Sequence, residues 1–429
     1  MATSAPLFFF TDLDESRRPK GSRDPLGLEP IWSQAGRRLV GNLTTVTRSL
    51  DNFVVALVGF AVSANDAVPG SARFALRFER FEQLAAWARF VEKMPGVIGS
   101  RIIAERDATR ILGDQMVEVG AGPAARILGD QRRSGLWGLY SSALMGTGLI
   151  DAKRALTSAG TKTAAEFLEY YERAPGMKRF RQAMASVERI SRVSPEALGF
   201  KELLELPARN KLAECLLVDG QGIFQKTMFQ LACSGKFANV RYPFQLFDVL
   251  AHDTPSSNQS LSQYARDVIV LERMLVVVNA AFDFLLGPTP RPMAKLVERF
   301  IEQGWLNDDE QKLVNPLRPE FVASFPETWK HRCRGLSEAI ELLNQRNIGK
   351  FIEKILGYHG EVMKDRGGPA WVSMDASKSI RGIMGETVGL PQRESLFKAW
   401  NNDYFVGAFS DLAAELNVKS DTQLEGVAQ

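Results

Sequence analysis

Residues 126–171, RILGDQRRSGLWGLYSSALMGTGLIDAKRALTSAGTKTAAEFLEYY, decide the fold of the first half of this chain. A helix over about 121–128 is closed by Gly129 and Asp130, and a second, apolar helix over about 136–145 is closed by Gly146. LIDA and RALT follow as short β segments around a turn at 151–154. Thr157 stands where an N-cap begins a closing helix over 158–171.

The order helix, turn, helix, strand, turn, strand, helix is the plan of a winged helix. The pattern GLI…RALTSAG…AAEFL resembles the wing and the closing helix of many bacterial winged-helix proteins. The resemblance implies that the helix over 136–145 is presented to a DNA groove and that the wing touches the backbone beside it. An ordinary helical hairpin with a small β-ribbon is the alternative.

The side chains of the presented helix argue against base-specific reading of DNA. Its polar groups are Tyr140, Ser141 and Ser142, whereas readers of the major groove usually carry Arg, Lys, Asn or Gln. Basic residues flank it instead, with Arg132 and Arg133 before the helix and Lys153 and Arg154 at the wing tip. Such groups suit contacts with DNA phosphates, which fix the position of a protein on the duplex but carry no information about the base sequence. They are equally compatible with a surface that contacts another protein.

The next segment, residues 175–193, is predicted to be an amphipathic basic helix. Six basic residues and one acidic residue lie between 173 and 192. At 100° per residue, one side of this helix collects Lys178, Arg181, Arg189 and Arg192. A stripe of this kind predicts binding to phosphates that weakens with salt. The alternative is a solvated helix face.

Composition describes an ordinary globular protein of 429 residues, with 45% hydrophobic residues, 24% charged residues and a formal net charge of +3. Binding to nucleic acid must therefore depend on a local patch. Cys215, Cys233 and Cys333 lack the close spacing of a zinc site or a disulfide framework, which indicates a reducing cytoplasm. The longest apolar run, residues 53–64, is too short to span a membrane. We expect a cytoplasmic protein without membrane contact, metal or cofactor.

The succession of apolar periodic segments predicts a mainly α, multi-domain helical bundle with an internal winged-helix-like module. Two short strands over residues 370–384 form a small C-terminal β-hairpin. We divide the chain into an N-terminal helical region (1–100), the winged-helix-like module with its basic helix (101–193), a helical bundle (194–287) and a C-terminal helical domain (288–429).

One group of residues in the C-terminal region could carry chemistry. In YHGEVMKDRGGPAW, His359, Asp365 and Arg366 could form an acid–base or phosphate site beside a Gly-Gly turn. This would make the protein a nuclease or nucleotide-processing enzyme. The other interpretation is a helix end with a histidine near the dipole, followed by a glycine stop and a strand.

Two segments carry a second resemblance. DPLGLEPIWSQAGRRLVGNLTTVTRSLDNF near the N-terminus, and HGEVMKDRGGPAWV with WNNDYFVGAF near the C-terminus, resemble segments of helix-rich proteins encoded in bacterial anti-phage defence islands beside helicases and nucleases. The resemblance implies a non-catalytic accessory subunit that binds nucleic acid, a larger effector, or both. A pure protein scaffold is a further alternative.

Overall fold

The computed structural model describes residues 24–111, 116–185, 191–196, 198–237, 240–306, 312–382 and 388–425, with side chains as far as residue 416. These residues form two compact units, each built from two separate segments of chain. The first unit holds the described residues up to Ala35 together with Pro243–Asn402, and the second holds Gly36–Tyr242 and the residues from Asp403 onward. Helix α1 (Glu29–Leu39) contributes residues to both units.

The second unit consists mostly of helices with one small sheet. Its elements are α2 (Leu50–Ala64), α3 (Ala72–Val91), α4 (Ser100–Ile111), β1 (Val117–Val119), a 3-10 turn (Pro123–Ala125), α5 (Gln131–Ser134), α6 (Leu136–Leu139), α7 (Ser141–Gly146), α8 (Ser158–Arg173), a 3-10 turn (Pro175–Met177), α9 (Lys178–Met184), β2 (Ser191–Val193), α10 (Lys201–Leu204), α11 (Ala208–Val218), α12 (Gln225–Cys233) and α20 (Val406–Glu425).

The first unit has a similar make-up. It contains α13 (Pro243–His252), a 3-10 turn (Ser256–Asn258), α14 (Gln259–Leu285), β3 (Arg291–Pro292), α15 (Met293–Glu302), α16 (Pro319–Ala323), α17 (Glu327–Asn344), α18 (Ile348–Asp365), β4 (Val372–Met374), β5 (Ser379–Gly382) and α19 (Arg393–Lys398).

Helix α2 forms the core of the second unit because it is apolar around its whole circumference. A helix of that kind has to be covered on every side, and α3, α8 and α11 pack against it. Ser49 caps its start by accepting a hydrogen bond from the Asn52 N–H at 3.4 Å. A Cβ atom on Gly59 would lie 2.8 Å from the Phe81 ring, so glycine lets α3 approach closely.

The segment 126–171 folds as predicted at its end and differently at its start. Thr157 caps α8, and its side chain accepts a hydrogen bond from the Gly160 N–H at 3.1 Å. The two predicted wing strands are reduced to one residue each, Ile150 and Leu156, which form a single antiparallel bridge. The helix predicted over 121–128 is wrong, because Pro123 starts only a 3-10 turn there. The helix predicted over 136–145 is observed as two short helices, α6 and α7, with an interruption at Tyr140.

The predicted basic helix over residues 175–193 is also shorter than expected. A 3-10 turn leads into α9, which ends at Met184. Residues 191–193 are strand β2, paired antiparallel with β1, so a helix reaching residue 193 is wrong. Val193 and Ser191 lie opposite Val117 and Val119. Pairing with a segment more than seventy residues earlier leaves no trace in local periodicity, which explains the error.

The long apolar helix of the first unit is α14, which packs on α13, α17 and α18. The hairpin predicted over 370–384 is confirmed as β4 and β5, which pair antiparallel within the described residues. Strand β3, which the sequence did not indicate, joins the other side of β5, with Arg291 opposite Ile380.

The fold class is mainly α with small β additions, as the sequence predicts. The division into units differs from the four consecutive regions 1–100, 101–193, 194–287 and 288–429, because each unit combines segments distant in sequence. Among the helices of the described residues, none combines the length and the apolar character needed to cross a membrane.

Candidate functional site

The helix that a winged-helix plan would present to DNA is packed into the second unit. Trp137 lies among the rings of Phe60, Phe74 and Phe78, with centroid distances of 5.6, 5.7 and 5.4 Å. Leu136, Tyr140 and Ser141 are each no more than 2% exposed, and Ser142 is the polar side chain left at the surface. The apolar face of this helix is therefore core.

Two buried polar contacts hold the same helix in place. The Glu82 carboxylate of α3 accepts hydrogen bonds from the Leu136 N–H at 2.5 Å and from Gln131 Nε2 at 2.9 Å. The Tyr140 hydroxyl accepts from Asn52 Nδ2 at 3.1 Å. Arg89 in turn donates to Asn52 Oδ1 at 2.5 Å. Sequence reasoning missed these residues, although charged groups inside the apolar stripe of α3 were a visible signal.

The basic residues around the helix separate into two groups. Four of them already contact other parts of the protein. Arg132 pairs with Glu79, and the Arg154 guanidinium lies 4.3 Å from the centre of the Trp137 ring. Arg181 donates to the Tyr171 carbonyl near the end of α8, and Arg192 lies opposite Glu118 in the strand pair. Burial lowers the pKa of Arg154. These roles compete with contact to a ligand.

The second group consists of Arg133, Lys153 and Lys178. All three side chains are exposed, and none of them forms an ion pair within the described part of the chain. Arg133 follows the Asp130 cap of α5, and Lys178 begins α9. Arg189, the remaining predicted contact, lies outside the described residues.

The turn at residues 151–154, which the sequence predicted as a wing tip, leaves the Lys153 side chain exposed. The Asp151 carboxylate accepts hydrogen bonds from the backbone N–H groups of Lys153 and Ala155, at 2.8 and 2.9 Å. Arg154 adopts a left-handed conformation with φ of 64°, which directs it back over Trp137. Of these two adjacent basic residues, Lys153 is therefore exposed, whereas Arg154 packs against Trp137.

The C-terminal candidates His359, Asp365 and Arg366 each have a different partner. His359 is fully buried; its Nδ1 lies 2.9 Å from the Pro25 carbonyl, and its Nε2 accepts from the Trp371 N–H at 2.8 Å. Both nitrogens are thus used inside the fold. Asp365 pairs with Arg332, and Arg366 binds the backbone carbonyl of Asp24.

The chemistry of His359 follows from this environment. Burial lowers the pKa of the imidazole, the hydrogen bond to Pro25 opposes that change, and the charge of Arg366 lowers it again. A neutral ring with the proton on Nδ1 satisfies both backbone groups. Within the described residues, no three acidic, histidine or cysteine side chains are grouped as metal ligands.

No protein-family model, curated protein or solved structure matches this chain.

Proposed function

We propose that this protein is a non-catalytic, cytoplasmic accessory subunit of a bacterial anti-phage defence complex. In this proposal the winged-helix-like segment of the second unit binds nucleic acid through phosphates, without reading sequence, and acts beside a larger effector such as a helicase or nuclease. The observation that supports the phosphate contact most directly is the exposure of Arg133, Lys153 and Lys178 without an acidic partner.

The packing of α6 and α7 supports binding that is independent of sequence. Base reading requires side chains with several donors and acceptors on a helix that can enter the groove. Here Tyr140 is buried, the Trp137 ring packs against the Phe78 ring, and Ser142 offers the one polar exposed group on this helix. Phosphate contacts need only mobile positive charges at the surface, which long Lys and Arg side chains provide.

The test measures the affinity of the intact protein for a labelled 20-base-pair duplex and for a 30-nucleotide single strand between 50 and 200 mM salt. The triple variant Arg133→Glu, Lys153→Glu, Lys178→Glu should bind at least tenfold more weakly at 50 mM salt. Because each lost phosphate contact reduces the salt slope for duplex DNA by about 0.9, the slope should fall by ~3.

A matched triple variant controls for the change in overall charge. Lys350, Lys364 and Lys398 of the first unit are exposed and make no ion pair in the described part of the chain. Replacing all three with Glu changes the net charge equally and should leave the affinity within about twofold. Equal losses in both triples, or no binding by the unmodified protein at 50 mM salt, would contradict the proposal.

The proposed association with an effector protein is tested by a separate experiment. Native protein isolated from its own cells should carry a stoichiometric effector chain that remains after nuclease treatment and high-salt washing. Recovery of the chain alone under mild conditions would remove the accessory-subunit assignment while leaving the phosphate contact to be judged separately.

A further inference from the structure

The contact between Arg154 and Trp137 lies at the surface of the second unit. The Arg154 Cζ atom is 4.3 Å from the centre of the Trp137 ring, and both side chains are partly exposed. Trp137 covers one flat face of the guanidinium, and no second aromatic ring lies over it in the described part of the chain. The opposite face of the guanidinium is therefore not stacked on a ring of the protein.

The terminal nitrogens of Arg154 also have no partner. Neither Nη1 nor Nη2 makes a hydrogen bond to the described residues, and both reach solvent, whereas Nε is buried. A guanidinium carries its N–H donors in one plane, and that plane stacks on aromatic rings. Arg154 thus offers a flat cationic surface and two donor groups to a ligand that approaches from solvent.

The turn that carries Arg154 is held in one conformation by Asp151. The Asp151 carboxylate accepts from the N–H groups of Lys153 and Ala155, and its backbone carbonyl accepts from the Arg154 N–H at 2.9 Å. Arg154 is thereby fixed at a φ of 64°, which is uncommon for a side chain of this size. Backbone strain of this kind is concentrated at ligand sites. Three phenylalanine rings hold Trp137 in place, so little order has to be gained on binding.

The loop after α2 lies against the same turn. A Cβ atom on Gly70 of this loop would be 3.5 Å from the Lys153 Cβ atom. The loop exposes Val68 to 75%, and its one acidic residue, Asp66, pairs with Arg77 at 2.6 Å. Loop, turn and this partner together hold three basic and two acidic side chains. The surface beside Arg154 is therefore apolar in part and positive in balance, as a nucleotide with its phosphate requires.

We propose that Arg154 and Trp137 form a stacking platform for one unpaired base of a single-stranded nucleic acid. The base stacks on the outer face of the Arg154 guanidinium, and Lys153 contacts a flanking phosphate. Arginine planes and aromatic rings are the groups on which proteins stack unpaired bases. This inference rests on the proposed phosphate contact and adds a substrate class to it, since the bases of a duplex are already stacked on one another.

The test removes the bases from the ligand while it keeps the phosphates. Fluorescence anisotropy at 50 mM salt compares binding of the intact protein to a 30-nucleotide oligothymidylate and to a fully abasic strand of the same length. The unmodified protein should bind the oligothymidylate at least fivefold more tightly. Equal affinity for the two strands would overturn the stacking platform and leave the phosphate contact standing, whereas failure to bind either strand would overturn both.

A conservative variant connects the preference to the guanidinium plane. Arg154→Lys keeps the charge but removes the planar group. Its affinity for oligothymidylate should fall to within twofold of that for the abasic strand, while its affinities for the abasic strand and for a duplex stay within twofold of the unmodified protein. Arg101→Lys, at an exposed position of α4, should keep the fivefold preference. A preserved preference in Arg154→Lys, or an equal loss on both strands, would contradict the platform.

A second measurement needs no variant, and thermal unfolding checks the fold of each variant in parallel. A short thymidine strand with one central 2-aminopurine should lose fluorescence when it is saturated with the unmodified protein, because stacking quenches this base. Unchanged fluorescence at saturation would show that no base is stacked and would overturn the proposal.

Discussion

At the scale of single residues, Glu82 is the clearest case of a side chain altered by its surroundings. It is 1% exposed in the middle of α3. Burial raises the pKa of its carboxyl group to about 7, against the hydrogen bonds from Leu136 and Gln131, and the charge of Glu79 adds to the rise. The folded protein therefore retains a proton that an unfolded chain releases.

This predicts a pH dependence of stability. Because the folded pKa lies above the ordinary value of 4.5, the contribution of Glu82 to stability is fully present below pH 4.5 and is lost as the pH rises through 7. A shift of this size corresponds to ~3 kcal/mol. Glu82→Gln should remove that decline in urea unfolding measured between pH 5 and 8.

The control for Glu82 is Glu166→Gln, at an exposed position of α8, which should keep the wild-type profile. If the Glu82→Gln protein loses stability with rising pH as steeply as the wild type, another group is responsible for the effect.

His359 gives a second residue-scale prediction. Its removal in His359→Ala leaves the Trp371 N–H and the Pro25 carbonyl without their partner and opens a cavity beside Phe282, whose ring centre is 4.6 Å away. The variant should lose about 2–4 kcal/mol in urea unfolding. His331→Ala removes a histidine that is 75% exposed and should change stability by less than about 0.5 kcal/mol. Equal midpoints for the two variants would refute this structural role.

At the scale of elements, α8 shows that packing can override helix propensity. Alanine ordinarily stabilises a helix interior by about 1 kcal/mol relative to glycine. In α8, however, a Cβ atom on Gly160 would lie 1.9 Å from the Leu149 carbonyl oxygen, which belongs to the turn that Thr157 joins to the helix. The close approach of backbone to backbone requires glycine here.

A pair of substitutions separates the two effects. Gly160→Ala should destabilise the protein by more than about 1 kcal/mol, since the backbone must move. Gly357→Ala, at an exposed position in α18 where nothing lies within 4 Å of the new Cβ atom, should stabilise it by about 0.5–1 kcal/mol. Thermal unfolding in which both variants shift in the same direction would show that the contact does not control Gly160.

At the scale of the whole molecule, the second unit depends on a segment that follows the first unit in the chain. Helix α20 packs on α11 and α12. Arg209 of α11, which is 7% exposed, binds Asp51 at 2.9 Å and also pairs with Glu415 of α20. Asp51 also lies 3.8 Å from the buried Arg89. One charged cluster thus joins parts of the chain more than three hundred residues apart.

Weakening the contact between α20 and α11 should lower the free energy of unfolding measured at equilibrium. Glu415→Gln leaves Arg209 with a single carboxylate and should lower stability by about 1–2 kcal/mol, because the arginine is buried while the glutamate is partly exposed. Asp411→Asn, on the same helix, breaks an ion pair with Arg48 in which both side chains are nearly half exposed, and should lower it by less than about 0.5 kcal/mol. A larger loss of stability in Asp411→Asn than in Glu415→Gln would contradict this role of the Arg209–Glu415 contact.

The sequence by itself determined the helical class, the Thr157 cap of α8 and the hairpin of β4 and β5. Each depends on signals within a few residues: an apolar run, a hydroxyl at a helix start, or two strands joined by a short turn. The exposure of Lys153 also follows locally, from the turn that Asp151 organises.

The tertiary structure alone decided which side chains are available. Sequence placed Arg132, Arg133, Lys153 and Arg154 together as equal candidates, and the fold assigns Arg132 and Arg154 to contacts with Glu79 and Trp137. It also drew residues 191–193 into a strand. The physical reason is that burial and pairing arise from segments far apart in the chain, whereas periodicity and capping report only on neighbours.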